Sequence, residues 1–504
     1  MRSIVTARAA GRPASGQARR IDALFCYRGR HFVDAACCSA NSEPLQHDGR
    51  IFGLATVQVP PLLHNAARRP ARLIPLAFLV ATLLGTALLS LPAATAGPGQ
   101  APLLTALFTA VSAVCVTGLI VQDTAVYWSF FGQCVILLLF QIGGLGIMSG
   151  ATLLGLMVKR RLQLSSRLVA QQETRSLGLG DVAGVLRLIL LVTLSVELIV
   201  TAILTLHFRL SYDLTWSKAL WDGLFHAISA FNNAGFSTYS DNLVQFATDP
   251  VVLVPIMLAV IIGGLGFPVL YEFRRDQRGR PWTIHTRITL WGSAVLLLGG
   301  MVAILFYEWS NPNTLGGMSL GDKLLSGLFT SAVARTAGFN SLDVGQFEAQ
   351  TLAVHYFLMF VGGGSAGTAG GIKVTTFFLL FFFIWAEIRG NADTVAFRRR
   401  ISYATQRQAL TVLFLGSLTV GIGTMLLLSV TDYELGVVLF EAVSAFATVG
   451  LSTGITADLP ASGQLVIIAL MFIGRVGTIT LATALALRSV TKHYRYPEER
   501  PIVG

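Results

Sequence analysis

A chain of 504 residues that is 53% hydrophobic and only 12% charged, with a mean hydropathy of +0.66, is too apolar for an ordinary soluble protein of this size. That balance predicts an integral membrane protein. The net charge of +11 does not argue for nucleic acid, because the basic residues sit in alternate connections and are not interleaved with aromatic ones.

Residues 1–69 are rich in Ala, Arg, Gly and Ser and hold no apolar run long enough for a span or a signal-peptide core, which predicts a disordered N-terminal extension in the cytoplasm or a mis-set start of the reading frame. From Leu73 onward eight apolar stretches approach the roughly 20 residues that a transmembrane helix needs. They lie near 73–92, 130–158, 187–208, 251–273, 288–307, 351–386 with an interruption, 408–430 and 464–487. Basic residues follow the second span (Lys159, Arg160, Arg161, Arg167, Arg175), the fourth (Arg274, Arg275, Arg278, Arg280), the sixth (Arg389, Arg398, Arg399, Arg400) and the eighth (Arg488, Lys492, Arg495). The other connections carry Asp123, Asp222, Asp241, Asp249, Asp322, Asp432 and Glu434. By the positive-inside rule both termini and the basic loops are expected in the cytoplasm. The five cysteines, among them Cys26, Cys37, Cys38, Cys115 and Cys134, form no spacing that predicts a disulfide framework or a zinc site.

The outer connections share one segment: FTAVSAVCVTGLI at 108–120, FHAISAFNNAGFS at 225–237, LFTSAVARTAGFN at 328–340 and FEAVSAFATVGLST at 440–453. Each reads as a short amphipathic helix, a step of two or three residues, then a glycine followed by a large apolar residue. The glycines are Gly118, Gly235, Gly338 and Gly450, separated by 117, 103 and 112 residues. The chain therefore reads as four repeats, 70–180, 181–283, 284–405 and 406–490, with a tail at 491–504. The expected fold is an all-α integral membrane protein, eight transmembrane helices plus four re-entrant pore helices around one central ion path.

A cation gives up hydrating water only where other oxygens replace it, and backbone carbonyls from four converging loops can do so. Glycine adopts the torsions this needs at little steric expense, and the C-terminal end of each short helix adds a negative dipole. The predicted ion-binding backbone is Val116, Thr117 and Gly118; Asn233, Ala234 and Gly235; Thr336, Ala337 and Gly338; and Thr448, Val449 and Gly450. For any single copy, glycines that permit close helix packing are the competing reading.

A second landmark follows each glycine by 25, 28, 24 and 24 residues: IGGLG at Gly143, IGGLG at Gly263, VGGGSAG at Gly362 and IGRVG at Gly474. In the third repeat it grows into GGGSAGTAGG, 362–371, with six glycines in ten residues. Glycine forfeits about 1 kcal/mol per residue of helix stability, so the span should break there. Non-helical backbone at membrane depth survives only where protein buries it or it lines a watery cavity. The match to GxGxxG at Gly362, Gly364 and Gly367 lacks the βαβ context of a dinucleotide site. Gly362, Gly363, Gly364, Ser365, Gly367, Thr368, Gly370 and Gly371 are read as a gate, with Lys373 anchoring its inner side and Arg475 facing it. Arg475 replaces Gly144, Gly264 and Gly363 of the other repeats, and an ionisable residue so deep in a span marks a functional site. A structural pairing of Arg475 with Glu197 is the alternative. For Glu197, a structural hydrogen bond and a part in ion or gating coupling both stay open, while His226, Asn232, Asn233 and Arg335 are expected to brace the loops. No carboxylate pair, His-x-x-x-His or nucleophile with its base is spaced for catalysis, so no catalytic residue and no enzyme are expected.

With CVTGL at 115–119, NNAGFS at 232–237, ARTAGFN at 334–340, ATVGLSTG at 447–454, the glycine-rich loop and IGRVG, the sequence resembles the Trk/Ktr/HKT superfamily of potassium transporters, and most of all the Ktr-type membrane subunit. The resemblance covers about residues 70–504. It implies a K⁺ path through Gly118, Gly235, Gly338 and Gly450, an intramembrane gate at Gly362 to Gly371 and an opposing Arg475. It also implies K⁺ uptake across the cytoplasmic membrane, a homodimer on a cytoplasmic nucleotide-binding regulatory ring (KtrA/TrkA-like), and a tail, YPEERPIVG, at the dimer contact. The basic loops after spans two, four and six are where such a ring would dock. Gly118 is a serine in the family's sodium-permeable plant members, so its retention here favours K⁺. K⁺ is then the transported ion, Na⁺ a candidate coupling or activating ion, and no covalent cofactor is expected. A Na⁺-permeable member of the same family and a secondary carrier with broken helices are the alternatives. The carrier would show two inverted repeats about a midplane site, against the same-direction repetition seen here.

Overall fold

The computed structural model describes residues 73–166, 182–274 and 281–477, together with Pro497 and Glu499. These belong to one of two compact units, Val59–Gly504. The expected extension at 1–69, most of the tail and the end of the eighth span lie outside the described residues.

The chain runs α1 (Leu73–Leu89), α2 (Leu103–Val114), α3 (Phe130–Ser166), α4 (Val182–Ser211), α5 (Trp216–Asn232), α6 (Pro250–Leu265), α7 (Phe267–Arg274) and α8 (Ile284–Glu308). Then follow α9 (Leu320–Val333), α10 (Ala349–Phe360), α11 (Val374–Ile388), a hairpin of β1 (Val395–Ala396) and β2 (Arg399–Arg400), α12 (Tyr403–Leu428), α13 (Leu435–Ala447) and α14 (Ala461–Phe472). A π-helical turn, Ile473–Gly477, carries α14 onward. The order of an outer helix, a short helix, a loop and an inner helix recurs with α2, α5, α9 and α13 as the short members.

Caps written in the sequence set several starts. Asp249 accepts from Val251 N ahead of Pro250, Thr283 accepts from Thr286 N, and Ser402 accepts from Thr405 N. Each side chain satisfies one of the amide groups that a helix N-terminus leaves without a partner. Among the described residues, four helical segments are long and apolar enough to cross a membrane: Phe130–Gly150, Leu186–Ser211, Ile284–Glu308 and Tyr403–Leu428. Large apolar side chains such as Leu83, Leu198, Val302 and Phe414 face outward from the bundle, as they can when lipid replaces water.

The short helices are enclosed by the others. The phenylalanines that their shared segment carries, Phe108, Phe225, Phe329 and Phe440, are each 0% exposed. Small residues bring the elements together: a Cβ at Gly292 would lie 2.6 Å from the Phe378 ring, and one at Gly327 would lie 2.8 Å from Leu305.

One difference from the sequence reading concerns an inner helix. The stretch at 251–273, read as one span, turns by 95° between α6 and α7. Gly266 stands at the corner with φ +89°, a torsion that L side chains rarely adopt. The interruption expected in 351–386 is present and covers Val361 to Lys373, between α10 and α11. Its ends close on each other, with Gly362 N donating to Ile372 O at 2.9 Å and Ile372 N donating to Phe360 O at 3.1 Å.

Candidate functional site

The loops that follow α2, α5, α9 and α13 meet. A Cβ added at Gly118 would lie 2.5 Å from the carbonyl oxygen of Ala234, and one at Gly235 would lie 2.7 Å from that of Ala337. At Gly338 it would collide with the carbonyl of Val449, and at Gly450 with the carbonyl of Thr117. Each glycine thus packs against the carbonyl of the residue before the next glycine, and the fourth loop closes back on the first. All four glycines line one vestibule of about 440 Å³, whose rim holds Asp123, Asp241 and Asp343. The acidic rim sets a negative potential where a cation would enter.

The backbone of each loop is bent in the same places. Gly118, Gly235, Gly338 and Gly450 have φ of +93°, +72°, +70° and +96°. Two residues earlier Val116, Asn233, Thr336 and Thr448 also have positive φ, at 56°, 59°, 124° and 50°. Positive φ at a β-branched residue such as Val116 is an outlier that persists only where the surroundings enforce it.

Those surroundings are hydrogen bonds from the short helices. Ser112 Oγ accepts from Gly118 N at 3.1 Å and donates to Leu119 O at 2.7 Å. Ser229 Oγ donates to Phe236 O at 2.8 Å, and Ser444 Oγ accepts from Gly450 N at 3.2 Å. These serines stand six residues before their glycines. The third loop, one residue shorter from Phe329 to Gly338, has Ala332 at that place. It is held by Arg335, whose Nη1 donates to the Ser293 carbonyl in α8 at 2.9 Å.

His226 and Glu441 occupy the same position in the second and fourth segments, nine residues before the glycine. The His226 Nε2 is hydrogen-bonded to Ser237 Oγ at 2.9 Å. The Glu441 carboxylate accepts from Ser452 Oγ at 2.6 Å, Thr453 N at 2.9 Å and Thr456 Oγ1 at 2.7 Å. Both tie the outgoing strand of a loop to its helix. Sequence reasoning found His226 as a brace and missed Glu441, although an ionisable residue at the position of His226 was the available signal. Near the vestibule Asp222 accepts from Thr238 Oγ1 at 2.8 Å and from Tyr239 OH at 3.0 Å. Burial, with the Asp222 charge beside it, pushes the Tyr239 phenol well up from its ordinary range. Asp249 accepts from His207 Nε2 at 2.6 Å and Tyr212 OH at 2.8 Å. Burial works to raise its carboxyl, but these hydrogen bonds outweigh it and hold it below the usual aspartate value.

Beneath the loops the second landmark has a steric reason. A Cβ at Gly143, Gly263 or Gly474 would run into the carbonyl of Val114, Phe231 or Phe446, at the C-terminal end of α2, α5 or α13. Only a glycine lets the inner helix pass that close. In the third repeat the glycine loop takes the same place. Gly364 N donates to Gly264 O at 2.8 Å and Thr368 N to Gly263 O at 3.1 Å, while Thr368 Oγ1 donates to Phe231 O at 3.2 Å. A Cβ at Gly370 would clash with Thr448 Oγ1 and Ala447 O, and one at Gly363 would lie 2.5 Å from Ala369 Cβ. Ser365 Oγ is hydrogen-bonded to Thr375 Oγ1 at 3.1 Å, and a Cβ at Gly367 would lie 3.0 Å from Gly263 O. Gly371 turns the chain out of the loop with φ +63°.

Two cations hold this loop by its carbonyls. Arg475 Nη1 donates to Thr368 O at 2.6 Å, and Lys373 Nζ donates to Ala369 O at 2.5 Å. Arg475 is 2% exposed. Its pairing with Glu197, kept as an alternative above, is not what the structure shows. Glu197 accepts from Gln141 Nε2 at 3.3 Å and from Asn232 Nδ2 at 3.4 Å, and Asn232 Nδ2 also donates to Gln141 Oε1 at 2.5 Å. Cys115 and Cys134 are free thiols.

Residues 76–491 match the family model TrkH, described as a cation transport protein. The chain is 39% identical over 449 residues to Ktr system potassium uptake protein B of Bacillus subtilis (strain 168), which covers 89% of this chain and 100% of that protein. It is 36% identical over 443 residues to potassium/sodium uptake protein NtpJ of Enterococcus hirae, covering 86% of this chain and 97% of that one. The crystal structure of the potassium transporter TrkH from Vibrio parahaemolyticus shares its fold, with a TM-score of 0.64 at 17% identity over 82% of this chain and 84% of that one.

Proposed function

The chain belongs to the TrkH family of cation transport proteins, and we propose that it takes up K⁺ across the cytoplasmic membrane along the axis of the four glycine loops. The observation that carries this reading is the closed order of the loops, in which the carbonyls of Thr117, Ala234, Ala337 and Val449 each abut the preceding glycine. Four oxygens from one polypeptide replace the water that K⁺ loses, and the bent backbone of Val116, Asn233, Thr336 and Thr448 keeps them aimed. Preorganised carbonyls favour the larger, more easily dehydrated ion. The relative called a potassium/sodium uptake protein makes Na⁺ a candidate coupling or activating ion.

The Gly362 to Gly371 loop closes the path below the loops, and Arg475 with Lys373 locks it there by neutralising its carbonyls. A fixed guanidinium beside the axis also repels a cation directly. Eight crossings in four repeats, with both termini in the cytoplasm, follow from the alternation of basic and acidic connections. The functional unit is a homodimer on a cytoplasmic nucleotide-binding ring received by the basic connections. The test is ⁸⁶Rb⁺ uptake in cells lacking other K⁺ systems, with and without Na⁺. Uptake that depends on the chain and is competed by K⁺ supports the reading, and absence of uptake with the regulatory subunit supplied counts against it.

A further inference from the structure

The connection between α11 and α12 is not a plain basic loop. Val395 pairs with Arg400 and Ala396 with Arg399, so Phe397 and Arg398 form a two-residue hairpin turn. Both have positive φ, 49° and 63°, in a turn that normally takes Asn-Gly or Gly-Gly. A bulky aromatic and an arginine in this place store strain that glycine would avoid. What they provide is an amphipathic tip. The Phe397 ring packs on Phe382 of α11, with centroids 6.2 Å apart, while Arg398 and Arg399 are exposed.

The flank is built alike. Arg389, at the end of α11, lies over the Trp385 ring at 4.7 Å. Ile388 and Tyr403 are 73% and 70% exposed where the two helices meet the hairpin. Arg400 is tied to Asp393 at 2.8 Å, but among the described residues no carboxylate pairs with Arg389, Arg398 or Arg399. Uncompensated arginines directly beside exposed aromatic and aliphatic side chains, on the rim of a lipid-facing helix pair, match a phosphate headgroup above acyl chains.

We propose that the α11–α12 hairpin is a binding surface for acidic phospholipid. Phe397 wedges the hairpin against α11, the arginines bind the headgroup phosphate, and Ile388, Trp385 and Tyr403 contact the chains. This reassigns the third basic connection, one of the three offered to the ring above, to lipid and leaves the first two for the regulatory ring. The assignment rests on the membrane reading but not on the ion path.

The test uses the full-length protein in phosphatidylcholine vesicles carrying brominated phosphatidylglycerol or brominated phosphatidylcholine. Quenching of Trp385, taken as the difference from Trp385→Phe, reports the preference for the acidic lipid. The wild type should prefer phosphatidylglycerol, and Arg398→Gln with Arg399→Gln should lower that preference by about fivefold per arginine. Arg398→Gly separates charge from folding, since glycine suits the turn: it should be at least as heat-stable and still lose preference. Lysine at both positions should retain it. No preference in the wild type, an unchanged preference in the glutamine variant, or an unchanged preference with weakened binding of the regulatory subunit would each overturn the proposal.

Discussion

Arg475 Nη1 donates to the carbonyl oxygen of Thr368 at 2.6 Å, joining residues 107 apart in sequence and linking the fourth inner helix to the broken third one. The bond joins a buried cation to a backbone that has given up its helix. Hydrogen bonds to charged groups contribute about 1.5–3 kcal/mol. Arg475→Ala should therefore shift the loop toward its open arrangement and raise ⁸⁶Rb⁺ flux by roughly tenfold or more. Unchanged flux at equal protein level removes Arg475 from the gate.

The corner at Gly266 gives a second expectation. A side chain there meets both an unfavourable φ of +89° and the Ser365 carbonyl. Gly266→Ala should lower the heat stability of the purified protein by about 1–3 kcal/mol and displace the Gly362 to Gly371 loop at Ser365. Gly421→Ala is the matched control, because nothing lies within 4 Å of its Cβ. It should be neutral or slightly stabilising.

Glu197 tests whether the Gln141–Asn232 network is structural. Glutamine keeps the shape and can pair with both amides, whereas alanine removes the acceptor of Gln141 Nε2 and leaves Asn232 Nδ2 only Gln141 Oε1 and Ile228 O. Glu197→Ala should lose about 1–3 kcal/mol and Glu197→Gln less than about 1 kcal/mol, read as shifts in melting temperature. A glutamine variant that is stable but does not transport would instead assign Glu197 to ion coupling.

Asp249 links α6 to His207 and Tyr212, and its carboxyl lies below the ordinary value of 3.8 in the folded protein. A group depressed in this way stabilises the fold fully above its unfolded value and less as pH falls through the folded one. Asp249→Asn should lower the melting temperature at neutral pH, and the difference from wild type should shrink as pH falls below 3.8. A difference that is constant with pH would mean the carboxylate charge contributes nothing.

Much of this site was legible in the sequence because its geometry is imposed by sterics that only glycine satisfies. The spacing of Gly118, Gly235, Gly338 and Gly450 placed the loops, and Gly143, Gly263 and Gly474 marked where inner helices graze the short ones. The break at Gly362 was visible as a glycine run, but the corner at Gly266 was not, since one glycine in an unbroken apolar stretch gives no periodic signal. Ser112 and Ser444 lie inside the short helices, and their clamping of Gly118 N and Gly450 N appears only in three dimensions. The hairpin at 395–400 was hidden because Phe397 and Arg398 are not turn-forming residues.

The central claim is that one ring of carbonyls selects the ion, and paired ⁸⁶Rb⁺ and ²²Na⁺ uptake by Gly118→Ser tests it most directly. A Cβ at Gly118 lies 2.5 Å from the Ala234 carbonyl, whereas one at Gly97 has nothing within 4 Å, so Gly97→Ser serves as control. Gly118→Ser should reduce the preference for Rb⁺ over Na⁺ by about tenfold, the ratio that ~1.4 kcal/mol of lost differential coordination gives, while Gly97→Ser leaves it unchanged. An undiminished Rb⁺ preference in a folded, transporting Gly118→Ser protein would contradict the account.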